Sequence, residues 1–416
     1  MISNKQPKQE KLGNGLMTLG VKSSLVVITF LFSLSSVAGP REQAKRLHER
    51  LAGVPPTETV LDAMTNDITS GNALAAANRA IETDSFYSVN LKNWVTPWTN
   101  EEQTVFEPLN DYTATVVGII RDELDFRQIL SGDIIYVGDG NLGLPGYSNS
   151  NNAHYEALEN QRLSLRTSLV QANQSDITGL PSDATAGVVT SRAGARAFFS
   201  AGTNRAMFRF TLMNHMCTDL EPLMDSSRAP DRIRRDVTRS PGGDSRIFLN
   251  NCISCHAGMD PLAQAYAYYD YSYDPNNDPS GANGQLVYNS EGQTDPISGT
   301  RVTQKHLINA ESFPTGFVIP DDRWDNYWRA GPNANIGWSE ALSGSGQGAK
   351  SMGEELANSE AFANCQVEKV FEQVCLRAPV DGNDRAQVAA MTATFKNSGY
   401  NLKEVFAESA VYCMGD

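Results

Sequence analysis

Apolar positions recur at helical spacing along much of the chain, in short segments separated by turn-rich connectors. Val60, Leu61, Met64 and Ile68 fall on one helical face just after Pro55-Pro56. Residues 114–124 read as a second helix, for which Asn110 or Asp111 can serve as cap. Residues 133–137 predict a short strand, stopped by Gly138-Asp139-Gly140, and the Gly- and Asn-rich stretch 138–152 predicts a loop. Residues 155–172 read as helix again, and residues 192–217 as a long helix broken near Gly202. In the last third, Ser351 and Glu354 form a Ser-x-x-Glu capping pattern. Beyond it Phe362, Ala363, Val367, Val370, Phe371 and Val374 repeat at helical spacing. Residues 386–395 and 402–412 predict two further amphipathic helices. There is neither an internal repeat nor a sustained β alternation, so the expected fold is mainly α.

Composition adds bounds. With 416 residues, 40% hydrophobic and 20% charged, the chain can bury a globular core. A net charge of −14 argues against nucleic acid as a partner, because a binder needs a concentrated basic footprint. The N-terminus carries Lys5, Lys8, Lys11 and Lys22, then an apolar run from Leu25 to Leu34, then Ser36-Val37-Ala38. This is the pattern of a signal peptide cleaved near Ala38, and the run is short for a membrane span. The expected location is the periplasm or another exported compartment, with no stable membrane span after cleavage.

The strongest chemical signal is Cys252-Ile253-Ser254-Cys255-His256. Two thiols that can add to the vinyl groups of haem, followed at once by an imidazole for its iron, are the requirements of c-type haem attachment. One covalent haem c is therefore expected, with His256 as proximal ligand. A zinc site would want a second ligand pair, and a thioredoxin-type pair would want a βαβ setting. For the distal ligand His215 is the first candidate, with His306 and Met352 behind it. Four cysteines remain, Cys217, Cys365, Cys375 and Cys413, and in an oxidising compartment they suggest two disulfides. Ten residues along a helix span about 15 Å, whereas disulfide-bonded Cα atoms lie within roughly 7 Å. Cys365 and Cys375 should therefore each pair with Cys217 or Cys413, which leaves two connectivities.

Around the motif, Arg232, Arg234, Arg235, Arg239 and Arg246 could neutralise haem propionates or form a solvated basic face. Tyr266, Tyr268, Tyr269, Tyr271 and Tyr273 could cover a haem edge, although aromatic packing explains such runs more often. Asp274, Asn276 and Asp278 imitate a calcium loop, but Pro279 and Gln285 stand where its Gly and Glu belong.

The part of the chain from about Arg192 to the C-terminus resembles the planctomycete-type cytochrome c family. The residues that carry the resemblance are Cys252 to His256, the Met259-Asp260-Pro261-Leu262 that follows, and the run from Leu356 to Cys365. Thr190-Ser191-Arg192 and Gly202-Thr203-Asn204-Arg205 look like the family's preceding module, while Ala263 departs from its usual Gly. The resemblance implies covalent haem and export, and no particular substrate. The expected organisation is a signal peptide at 1–38, an N-terminal helical domain at 39–190, a haem-c module with long loops at 191–350 and a C-terminal helical module at 351–416. The leading functional expectation is periplasmic electron transfer to an unidentified redox partner protein. The alternative is a peroxidase- or oxygenase-like haem enzyme with an open distal site, in which the tyrosine run and Trp324, Trp328 and Trp338 would line a pocket. A third possibility is a binding subunit whose haem relays electrons.

Overall fold

A computed structural model describes residues 38–307 and 311–415; the expected signal segment lies outside them. Residues from Ala38 onward pack as one compact unit, so the segments expected to divide at 190 and 350 share a core. The architecture is mainly helical, with three two-stranded antiparallel sheets among the described residues: Ile135–Gly138 with Leu169–Ala172, Tyr269–Ser272 with Gln285–Tyr288, and Arg323–Asp325 with Ser345–Gln347.

The most enclosed of the longer helices is Asp111–Arg121, all of whose residues but Arg121 are buried. Asn110 caps it by accepting from the Thr113 amide. The Asp111 carboxylate, at the first helical position, accepts amides of Arg192 (2.6 Å) and Ala193 (3.0 Å) and so pins the start of the helix Arg192–Phe198. Burial pushes this carboxyl above its ordinary range, with the amide hydrogen bonds acting against that shift. The helices Pro40–Ala52, Glu58–Thr69 and Ala73–Ile81 pack together, and the first and third also pack on Leu402–Cys413. The helix Glu360–Cys375 lies against Leu402–Cys413, Gly382–Asn397 and Arg205–Met216, which joins the C-terminal helices to the middle of the chain.

Two local expectations are corrected. Residues 155–172 are not one helix: Ala153–Asn160 ends where Arg162 takes a positive φ of 53°, and Leu169–Ala172 pairs as a strand with Ile135–Gly138. The apolar residues of this strand satisfy either period over so short a run, and the pairing decides. Ser351 is no cap, because its helix already begins at Gly348; its hydroxyl donates to the Gln347 carbonyl and accepts from Trp324 Nε1. The cap in this region is Ser359, which receives the Phe362 amide at the head of Glu360–Cys375.

The disulfides are Cys217–Cys365 and Cys375–Cys413, with Cα separations of 5.3 and 5.4 Å. This is one of the two connectivities that the helix spacing leaves open. A non-reducing peptide map should return these two links. The Cys375–Cys413 link closes a loop of sequence separation 38, so replacing both residues by Ser should cost about 2–4 kcal/mol in urea unfolding; unchanged stability would contradict the pairing.

Candidate functional site

The Cys252-to-His256 segment lies on an almost continuous helical stretch made of Ser245–Ile247, a π-turn at Phe248–Cys252, and Ile253–Ala263. Cys252 and Cys255 are free and partly exposed. Their separation of three positions, with His256 next, puts both thiols and the imidazole on adjoining parts of one turn. Burial pushes the Cys255 thiol up, with Cys252 and nearby carboxylates adding to the shift. The loop before the helix is tied to this turn: Ser254 accepts the Asp225 amide at 3.2 Å, and the Cys255 thiol faces the Leu220 carbonyl at 3.7 Å. Met224 (42% exposed), on that loop, and Ile247 (41%) and Leu249 (58%), on the turns just before Cys252, are large apolar side chains left in water. Ile233, Val237, Phe248 and Ala257 form a small apolar cluster separate from the main core, and Cys252 and Ile253 pack against it.

His256 is tied to the interior by Asp260, one turn along the helix, with Nδ1 at 3.2 Å from Oδ1. Nε2 makes no hydrogen bond to the described residues. The Asp260 side chain is wholly buried and lies at a junction of charges. Arg205 Nε donates to Oδ1 at 2.8 Å and Nη2 to Oδ2 at 3.1 Å, while the same guanidinium also clasps Asp236 at 2.6 and 2.9 Å. The Arg234 amide reaches Asp260 Oδ2 at 3.3 Å, and its buried guanidinium donates to the Thr203 carbonyl and hydroxyl and to His306 Nδ1. Burial opposes ionisation of Asp260, but Arg205 and Arg234 outweigh it and hold the carboxyl well below the usual range. Burial and the neighbouring Arg205 bring the Arg234 guanidinium down to about 10, against the pull of Asp260 and Asp236.

The Gly202-to-Arg205 run supplies much of this junction. Thr203 receives Arg234, and Asn204, in the left-handed region at φ 60°, donates to the carbonyls of Tyr266 and Tyr269. Arg205 then opens the helix Arg205–Met216 while holding Asp260. Gly258 fills a different need: a Cβ there would sit 2.0 Å from Trp328 Nε1, so the motif helix packs on the Trp328 indole only because this position lacks a side chain.

The three candidates for distal ligand are all buried. His215 is buried, with Nε2 at 2.8 Å from the Tyr112 hydroxyl and its ring edge-on to Trp98. Burial, aided by Lys369, holds it well below its usual range and therefore neutral. His306 is buried beside Arg234, and Met352 is 1% exposed on the helix Gly348–Ala357. None of the three has a donor atom at the exposed surface beside Cys252 and Cys255.

Four of the five arginines before the motif are engaged by partners, Arg234 in the junction above. Arg232 pairs with Asp325, Arg239 stacks on Phe248 and Phe313, and Arg246 pairs with Asp244. The tyrosines pack: Tyr266 and Tyr269 are in the core, and Tyr269 donates to the Ala184 carbonyl. Trp324 and Trp328 are buried, and Trp338 donates to the Trp328 carbonyl. Asp274 turns its carboxylate onto Asn276 and Asn277. Among the described residues no three His, Cys, Asp or Glu side chains are grouped to hold a metal ion, and no helix is long and apolar enough to cross a membrane. Asp260 was the residue missed as a site member, although its i,i+4 relation to His256 is legible in the sequence.

No protein-family model, no curated protein and no solved structure matches the chain.

The Asp260 junction carries a pH signature. A carboxyl whose folded pKa is depressed contributes stability that is present above its unfolded value of about 3.9 and is lost as pH falls through the folded value. Wild-type stability should therefore drop below about pH 4, and Asp260→Asn should flatten the part of that drop that Asp260 contributes. At neutral pH the same change leaves two guanidiniums with one counter-charge and should cost about 3–5 kcal/mol. Equal stability of the two proteins in urea at pH 7 would contradict the junction.

Proposed function

We propose that this chain is an exported c-type cytochrome with one covalent haem, attached through Cys252 and Cys255, with His256 as proximal iron ligand, and that it passes electrons to a redox partner protein. The observation that carries this reading is the division of the six cysteines. Four are joined in disulfides, and the remaining two are free, partly exposed and followed at once by a histidine whose Nε2 has no hydrogen-bond partner among the described residues. The residues fit the group: reduced thiols on one helical turn, an imidazole oriented through Nδ1, and apolar side chains at Met224, Ile247 and Leu249 that a porphyrin would cover. When bound, haem supplies a one-electron couple; the chain fixes its ring and holds its proximal ligand. Two disulfides support an oxidising compartment, in agreement with the signal-like N-terminus. The resemblance to the planctomycete-type cytochrome c family points the same way.

One observation favours the second reading, a peroxidase- or oxygenase-like haem enzyme. His48, His154, His215 and His306 are all buried, between 2% and 6% exposed, so no second histidine stands ready as distal ligand. Against it, the tryptophans and tyrosines suggested as a substrate pocket are packed into cores. Carbon monoxide separates the two readings: a carrier keeps its low-spin reduced spectrum, while rapid uptake would favour the enzyme.

Expression in a host able to attach haem c should give a haem-staining band on a denaturing gel. The band should vanish in a Cys252→Ser/Cys255→Ser variant and persist in Cys217→Ser/Cys365→Ser. Loss of stain from the second variant alone would contradict the assignment.

A further inference from the structure

We propose that Asp260 is the outer-sphere partner of the proximal ligand: its buried carboxylate accepts the Nδ1 proton of His256 and sets the midpoint potential of the haem low. This rests on the haem reading above.

The geometry is specific. His256 and Asp260 stand one turn apart, with Nδ1 and Oδ1 at 3.2 Å. A ring that donates from Nδ1 is held in the tautomer whose Nε2 lone pair is free, and an anionic acceptor makes that nitrogen more basic. A more basic ligand, with fixed negative charge behind it, favours ferric over ferrous iron. Because the side chain of Asp260 is excluded from water, little solvent screens this effect.

A purely structural role for Asp260, as counter-ion to Arg205 and Arg234, makes a different prediction. Oδ1 is shared between His256 Nδ1 and Arg205 Nε, the latter at 2.8 Å. Arg205 therefore draws off part of the charge that Asp260 offers to the imidazole. Removing the carboxylate and removing the guanidinium should move the potential in opposite directions, whereas general loosening of the site would move both the same way.

The test is spectroelectrochemical titration of the haem-loaded full chain. Asp260→Asn should raise the ferrous-to-ferric ratio at fixed potential about tenfold, an upward shift of about 59 mV for a one-electron couple. Arg205→Gln should shift it downward. An unmoved or lowered potential in Asp260→Asn, or shifts of the same sign in both, overturns the proposal. Should Asp260→Asn fail to accumulate, the wild-type protein decides: in the diamagnetic ferrous state, nitrogen-15 histidine spectra should show a His256 Nδ1 proton protected from exchange. Free exchange of that proton overturns the proposal. Wild-type protein that takes up no covalent haem overturns the underlying reading instead, and does so before any potential is measured.

Discussion

Ionised Asp260 is the constraint on which the middle of the molecule depends. Its carboxylate sits in the interior on the helix Ile253–Ala263 and meets guanidiniums from the head of Arg205–Met216 and from the loop at Arg234. Buried Arg234 and partly buried Arg205 face two aspartates there, Asp260 and Asp236, and each pair compensates the charge of the other. His306 and Thr203 complete the shell around Arg234, while His256 extends the network outward to the surface. The position of the one partly exposed histidine is thus fixed by charges buried behind it.

The cysteines show a related division of labour. The links Cys217–Cys365 and Cys375–Cys413 bind the helices Arg205–Met216, Glu360–Cys375 and Leu402–Cys413 into one body. Cys252 sits apart from them against a small apolar cluster of its own, and Cys255 stands one turn further along the same helix. A chain that spends four thiols on structure and leaves two reduced beside a histidine concentrates its thiol chemistry at one turn of one helix.

Much of the fold was legible in the sequence because helical period is a local property. The helices at Glu58–Thr69, Asp111–Arg121 and Glu360–Cys375 follow from apolar spacing, and Asp111–Arg121 from its capping residue as well. The strand Leu169–Ala172 was not, because its identity depends on pairing with Ile135–Gly138, more than thirty positions earlier. Ser351 illustrates the same limit: its pattern is that of a cap, but contacts with Trp324 and Gln347 carry the helix back to Gly348. The Cys-x-x-Cys-His turn was visible because its chemistry lies within five residues. The burial of His215, His306 and Met352 was not, since it depends on tertiary packing that one-dimensional spacing does not carry. The role of the Gly202-to-Arg205 run also needed three dimensions, because its partners Asp260, Arg234 and Tyr266 are distant in sequence.

The most direct measurement is a pyridine haemochrome assay, set against protein concentration, on full chain matured by a c-type haem attachment system. One haem per chain that survives acid–acetone extraction is the expected result. Absence of covalent haem, with Cys252 and Cys255 both still titrating as thiols, would contradict the assignment of this turn as a haem site.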